Sequence, residues 1–352
     1  MLRGEQADVA CHGFGCGTAH TTVVVILSSA NDAHVPYVTP KLKARGAEYV
    51  WFDPAHFPSR AGMRLGFDRH GVTSRVLAWE GRELDLSSVT AVWYRRPGKP
   101  QASADLQDRT HGEYSEWTSA HFLEGVWETL NCQWLPATPA TNRAAHNKVV
   151  QLAVAVRVGF AVPPTLITNE PSAFLAFYEA CDSSLVSKPL RDTAPKRDGE
   201  PLLLFTRPVQ RRDTHGYQGI RFAPEIFQQY VPKERELRVT VVGTRVLTAE
   251  IESQTSRVTR HDWRHYDDDS VVYRPHRLPD LVASRCLALI AELQLCFGAI
   301  DMILTPEGEY VFLEINPNGQ WAWVEDSTGL PISDAIADLL TGQLDPPGGA
   351  GR

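Results

Sequence analysis

The sequence predicts an α/β (α+β) protein whose leading α/β unit precedes a larger part built on antiparallel hairpins. Three observations carry this. Val23-Val24-Val25-Ile26-Leu27, a helical segment from Tyr37 to Arg45 and Tyr49-Val50-Trp51-Phe52 make a βαβ-like opening. From Glu236 the chain alternates, with Leu237, Val239 and Val241 facing one way and Glu236, Arg238 and Thr240 the other. Gly243-Thr244 then turns it back into Arg245 to Ile251. Near the C-terminus two strand-like runs flank Pro306-Glu307-Gly308, a turn sequence.

The chain's 352 residues suffice for a sizeable core, in one large domain or roughly two to three small ones. Lys and Arg (35) against Asp and Glu (42) give a net charge of −7. That argues against a nucleic-acid partner and leaves room for a local basic groove. No apolar run approaches a membrane span, so no membrane partner is expected. Cys132, Cys181, Cys286 and Cys296 sit in apolar segments and read as reduced. Together these features point to the cytoplasm. Residues 1–22 lack the apolar core of a signal peptide, and Cys11 and Cys16 have no second ligand pair. The segment reads as a disordered tail.

No G-x-G-x-x-G follows the first strand, so the opening is not read as a dinucleotide fold. Ala91 to Pro97 is a strand ending in Arg95-Arg96. Glu113 to Trp134 reads as helix, with Trp117, Phe122, Val126, Trp127 and Leu130 in the core. Asn147-Lys148 opens a helix on which Ala145, Val149, Leu152 and Val156 share a face, and Gly159 ends it. Pro163 to Thr168 is a strand. Asn169 caps a helix from Pro171 to Ala180. Ser184 to Pro189 is a strand with Lys188 at its end. Leu190 to Pro201, charged and poor in apolar residues, reads as a loop. Asp280 to Phe297 is a core helix, and the Pro/Gly-rich stretch 342–352 reads as a disordered tail.

If Thr305 pairs with Tyr310, Asp301 falls opposite Glu314, with side-chain roots about 5 Å apart. Asn316 shares the face of Glu314. Two carboxylates and an amide then meet on one face walled by Ile303, Phe312 and Leu313. Like charges side by side need a cation, and an all-oxygen set with few carboxylates suits Mg²⁺ that also holds phosphate. A solvated hairpin is the plainer reading of one Asp and one Glu. The Asn316-Pro317-Asn318-Gly319 run that follows favours the metal. Lys148 opens a helix and Lys188 ends a buried strand, both sensible places to hold phosphate, although lysines are usually surface residues. Arg95 and Arg96 read either as a solvated strand end or as an anion site for carboxylates of an acidic peptide. No Ser/His/Asp or Cys/His nucleophile pattern stands out.

Asp301 with Glu314-Ile315-Asn316-Pro317 resembles the metal end of the ATP-grasp fold. Asn318-Gly319-Gln320-Trp321-Ala322-Trp323-Val324-Glu325 and Thr328-Gly329-Leu330-Pro331-Ile332 resemble a narrower group. These are the ATP-grasp ligases that macrocyclise ribosomal peptides, the graspetide or microviridin-type maturases. The resemblance runs from about Val23 onward. It implies an ATP-grasp fold with an N-terminal pre-ATP-grasp domain at 23–137 and an ATP-grasp domain at 138–341. The latter divides into a small lobe (about 138–225) and a C-terminal lobe (about 226–341).

The resemblance also implies roles. Lys148 and Lys188 hold phosphate. Gln228, Gln229, Tyr230 and Val231 form the adenine hinge, with Gln229 where many relatives carry Glu. Glu236 contacts ribose. Arg238, on the same strand face, reaches phosphate or the substrate carboxylate, and Arg264 stabilises the transferred phosphate. The loop over the phosphates departs from the family in having a single glycine between Arg191 and Gly199, so Arg191, Thr193 or Lys196 would do its work. The implied activity is an ATP-dependent carboxylate–amine/hydroxyl ligase. It activates Asp/Glu side chains of a ribosomal precursor peptide as acyl phosphates and forms ester or amide crosslinks. ATP and Mg²⁺ are the implied cofactors, with Mn²⁺ as a substitute, and the implied assembly is a homodimer. Two other readings stay open. One is a ligase joining an amino acid or small amine to a peptide or small acid. The other is a nucleotide-dependent peptide-binding protein without turnover.

Overall fold

The computed structural model describes residues 22–191, 193–197, 200–203, 206–255 and 271–348. Arg264 and the rest of Asp262-Trp263-Arg264 lie outside the described residues, as does the segment bearing Cys11 and Cys16.

The strand Val23–Ser28 lies between Glu48–Phe52 and Ala91–Arg96, parallel to both, with Gln133–Leu135 beyond. Val24 to Leu27 are fully buried, which is why this run is continuously apolar rather than alternating. Gln133–Leu135 corrects the expected helix, which spans only Arg109–Glu128. Its last residues pair with Ala91, Val92 and Trp93 at the open sheet edge. Trp117 is also corrected. The buried stripe of its helix is Ser119, Leu123, Val126 and Trp127, and Trp117 points the opposite way, 70% exposed. A three-stranded antiparallel sheet, Ala61–Asp68, Gly71–Trp79 and Arg82–Asp85, packs Ala61 and Leu77 into the core beside Val25 and Trp127.

Two larger sheets follow. One runs Arg207–Pro208, Leu185–Lys188, Glu225–Gln229, Thr165–Thr168. The other, five-stranded, runs Tyr273–His276, Arg245–Ile251, Arg235–Val242, Phe297–Leu304, Tyr310–Asn316, all antiparallel. Asp280–Glu292 is the preceding helix, so Phe297 starts a strand rather than ending that helix. The expected loop over 190–201 contains a hairpin, Thr193–Arg197 with Glu200–Leu203, which its charged composition hides. The helix Pro171–Ala180 has Glu170, not Asn169, at its N-cap, and the Glu170 N–H donates to Thr168 Oγ1 at 2.9 Å.

Helix Lys148–Arg157 turns a different face inward from the expected one. Gln151, Val154 and Ala155 are buried, while Val149 and Val156 are 49% and 57% exposed. The stretch after Thr341 does not leave the body at once, since Leu344 packs on the main core.

The leading sheet and the C-terminal helix Ile332–Leu340 share one core, in which Val38 and Trp93 meet Trp321, Ile336 and Leu340. Lys41 and Arg45 add ion pairs to Asp334 and Asp338. Each fully buried large apolar side chain contributes about 1.5–3 kcal/mol, whereas part-exposed ion pairs contribute about 0–1. The apolar contact therefore dominates the junction. Among the described residues no helix is long and apolar enough to cross a membrane.

Candidate active site

An open cleft lies between the sheet of Leu185–Lys188 and Glu225–Gln229 and the five-stranded sheet. Lys188, Gln228 and Gln229 line it from one sheet, Glu236, Asp301 and Glu314 from the other, and Tyr230 and Val231 from the connection between them. The structure thus brings together residues from position 188, from 228 to 236 and from the 301–314 hairpin.

Asp301 pairs with Glu314 as expected, but the hairpin reaches that register by another route. Leu304, not Thr305, pairs with Tyr310. The Thr305 N–H instead donates to the Glu309 carbonyl at 3.0 Å and closes the turn. A β-bulge between Asp301 and Met302 then restores the pairing by leaving Leu313 as the extra residue. The bulge turns both Leu313 and Glu314 into the cleft, which strict alternation forbids. Phe312 consequently points away from the cleft, fully buried in the core beneath, and is not part of the wall.

The acids are matched by bases. Asn147 caps its helix by accepting the N–H groups of Val149 and Val150 at 3.0 and 3.4 Å, which sets Lys148 in the first turn. Lys148 Nζ lies 3.1 Å from Glu314 Oε2 and donates to the Pro189 carbonyl at 3.3 Å. Arg238 stands opposite Asp301 in register and donates from Nη1 to both carboxylate oxygens, at 2.8 and 2.9 Å. Its Nη2 donates to the Gln320 carbonyl at 3.2 Å. Asn316 Oδ1 accepts the Asn318 N–H at 3.0 Å, which orients that amide from its own turn. Gly319 has to be glycine. A Cβ there would lie 2.3 Å from Ala299 Cβ and 2.8 Å from Arg238 Nη2.

Glu236 is held by Lys233 and by Ser253 Oγ, the latter donating at 2.8 Å. Burial pushes its carboxyl pKa up, and the Lys233 charge opposes that. Gln228, 2% exposed, is oriented by a short relay. Thr165 Oγ1 donates to the Pro163 carbonyl at 2.7 Å, so it must accept from Gln228 Nε2 at 2.9 Å. Gln228 Oε1 is thereby left as a buried acceptor with no partner among the described residues, in a side chain that lines the cleft.

Arg95 and Arg96 part company where the register with Val23–Ser28 shifts, leaving Arg95 as the extra residue between Tyr94 and Arg96. Arg96 is exposed. Arg95 is 1% exposed and donates from Nη1 to the carbonyls of Asn318 and Gly319, at 2.5 and 3.1 Å. Its Nε lies 3.5 Å from Asp32 Oδ2. Burial pushes the Arg95 guanidinium pKa down to about 10, with Asp32 opposing. Burial also acts to raise the Asp32 pKa, but hydrogen bonds from His34 and Ser28 and the Arg95 charge outweigh it and hold the group well below the usual range. His34 completes the strap. Its Nε2 accepts the Trp321 N–H at 3.3 Å, so its Nδ1 carries the proton toward Asp32, 3.1 Å away. Burial lowers the His34 pKa, with the Asp32 hydrogen bond opposing, which favours this neutral form. The four residues after Pro317 are thus held by Arg95, His34 and Arg238.

Sequence reasoning missed Lys233, Thr165 and Ser253. Only Lys233 left a trace, three residues before Glu236. Among the described residues no three His, Cys, Asp or Glu side chains gather into a metal cage. Mg²⁺ does not require one, since one or two carboxylates plus substrate phosphates suffice. The paired Asp301 and Glu314, with the oriented Asn316 amide beside them, fit that requirement.

Residues 22–142 match the family model described as MvdD pre-ATP grasp domain. No curated protein matches the chain. Among solved structures, the macrocyclase MdnC of Microcystis aeruginosa MRC, bound with precursor peptide MdnA, is 31% identical with a TM-score of 0.79. The match covers 92% of this chain and 100% of that one. MdnB of the same organism is 33% identical with a TM-score of 0.75, over 91% and 99% of the two chains. The RiPP-associated ATP-grasp ligase of Chryseobacterium gregarium, in complex with ADP and a leader and core peptide, is 28% identical. Its TM-score is 0.85, over 93% and 98%. The arrangement of sheets around the cleft is therefore an ATP-grasp fold behind a pre-ATP-grasp domain, and the chain belongs to the ATP-grasp ligases that macrocyclise ribosomal peptides, the microviridin type.

Proposed function

We propose that this protein activates Asp or Glu side chains of a ribosomal precursor peptide as acyl phosphates and closes them onto hydroxyl or amine groups of the same peptide. The observation that carries this is the Asp301–Glu314 pair, flanked by Lys148 and Arg238, in a cleft that also holds Gln228 to Val231. A peptide carboxylate oxygen attacks the γ-phosphorus of ATP and ADP leaves. A hydroxyl or lysine amine then attacks the acyl carbon, phosphate leaves, and an ester or amide remains. No protein nucleophile is consumed. Mg²⁺, held by Asp301, Glu314 and Asn316, would neutralise phosphate oxygens. Lys148, Lys188 and, outside the described residues, Arg264 offset the charge that develops on the phosphoryl group. Arg238 holds Asp301 in place, and Glu236 meets the ribose.

The test is mass spectrometry of the cognate peptide with ATP and MgCl₂. Each ring closed should remove the mass of one water from the peptide, with one ADP released per ring. A gain in peptide mass would favour the second reading, a ligase that adds an amino acid or small amine. Absence of ADP release with the peptide bound would favour a binding protein.

The Gln228 relay gives a separate expectation. An acceptor fixed in the adenine region suits a purine carrying a 6-amino group and opposes one carrying a 6-carbonyl. Thr165→Val removes the group that orients the amide and lets Gln228 turn its N–H₂ to the base. The ratio of ATP to GTP affinity, measured by calorimetry, should fall by about tenfold, one hydrogen bond's worth. An unchanged ratio would remove Gln228 from base recognition.

A further inference from the structure

The strand bearing Glu314 and Asn316 is the outermost of its sheet. In an antiparallel pair every second residue turns its N–H and C=O away from the partner strand. Ile315, between the two proposed ligands, is such a residue. Its N–H donates to Gln151 Oε1 at 3.2 Å, and its carbonyl accepts from Gln151 Nε2 at 2.8 Å. The second Nε2 hydrogen goes to the Ala145 carbonyl at 2.7 Å. The amide cannot be flipped, since its oxygen would then face two carbonyls. Gln151 is 2% exposed. It acts as one residue of a missing sixth strand, gripping the sheet edge at the point where the ligands alternate.

The grip comes from the helix that carries Lys148. Gln151 is three residues on, on the same face. One helix therefore delivers a cation to Glu314 and a two-way clamp to Ile315. Without the clamp, Ile315 would have a free edge, and the strand could slide or twist between the bulge at Leu313 and the turn at Asn316. Neither Glu314 nor Asn316 would then hold its side chain in a fixed position.

We infer that Gln151 is a positioning residue for the metal, setting the carboxylate of Glu314 and the amide of Asn316 through the backbone of Ile315. This rests on the Mg²⁺ reading above. Residues that orient metal ligands in this way typically change metal affinity by roughly 10–100-fold when removed.

The test compares the full-length wild type with Gln151→Met, which keeps length and helix preference and loses every polar contact. ADP binding is titrated calorimetrically across a range of MgCl₂, and amide hydrogen exchange is followed at Ile315. The variant should need at least tenfold more Mg²⁺ for half-maximal enhancement of ADP binding. Its Mg²⁺-free ADP affinity should stay within about twofold, and the Ile315 amide should exchange faster while the Phe312 amide, donated to the Ala161 carbonyl, does not. Gln151→Glu serves where the Met variant does not fold. It keeps an acceptor for Ile315, and its added negative charge would by itself strengthen cation binding, so weaker Mg²⁺ binding there points to lost positioning. Unchanged Mg²⁺ dependence in a folded variant, or unchanged exchange at Ile315, overturns the inference while leaving the metal site standing. A wild type whose ADP binding ignores Mg²⁺ overturns the metal reading itself, and the inference with it.

Discussion

Glu314→Ala should lower Mg²⁺-dependent product formation about a thousandfold while leaving the melting temperature close to that of the wild type. A metal that neutralises phosphoryl oxygens supplies several kcal/mol of transition-state stabilisation. Loss of about 4 kcal/mol corresponds to roughly three powers of ten in rate. The structure makes Glu314 the cleaner of the two acids to remove. Lys148, its ion-pair partner, keeps the Pro189 carbonyl as an acceptor. Asp301 is different, because Arg238 spends a bidentate contact on it with both side chains nearly buried. Asp301→Ala would leave a buried guanidinium without its carboxylate, a loss of about 3–5 kcal/mol in stability. Lost turnover there would mix lost metal with lost fold. Product formation by Glu314→Ala at saturating Mg²⁺, measured by peptide mass, decides the point. A rate near the wild type's would remove Glu314 from the metal site.

The hairpin was legible because a Pro-Glu-Gly turn between two period-two runs leaves few registers to choose from. Its correct acid pairing nevertheless rested on two compensating features. The turn is one residue off the expected pairing, and the bulge at Leu313 takes that residue back. Neither leaves a mark in the sequence, since Leu313 is as apolar as its neighbours. The strands Ala61–Asp68, Gly71–Trp79 and Arg82–Asp85 escaped notice for a different reason. Much of this sheet is exposed, so its alternation is filled with Arg, Ser and Glu. Gln151 was hidden by the pattern rule itself. Apolar periodicity drew the inner face of its helix through Val149 and Val156, and both are exposed. The face that packs against the strand of Glu314 and Asn316 carries an amide because an open sheet edge needs a donor and an acceptor, and no hydrophobic count registers that need.

Arg95→Ala and Arg96→Ala should have opposite consequences, although the two residues are adjacent. Arg95 serves the carbonyls of Asn318 and Gly319 and lies beside Asp32. Its removal leaves two carbonyls and a buried carboxylate short of a partner, at about 3–5 kcal/mol. For a chain of this size that is roughly 4–7 °C in Tm. The loop from Asn318 to Trp321 would also lose its hold on one side, so turnover should fall at temperatures where the variant is still folded. Arg96→Ala, at an exposed strand end, should change stability by no more than about 0.5 kcal/mol. If Arg96 receives a carboxylate of the peptide, its loss should weaken peptide binding by about 1.5–3 kcal/mol, tenfold or more, with ADP affinity unchanged. The effect should shrink as salt rises, because the site is open to solvent. Titration of a fluorescent precursor peptide against each variant, with melting curves on the same samples, separates the two roles. Weakened peptide binding by Arg95→Ala at an unchanged melting temperature would contradict the strap. Unchanged peptide affinity in Arg96→Ala would move the acidic peptide's site away from this strand.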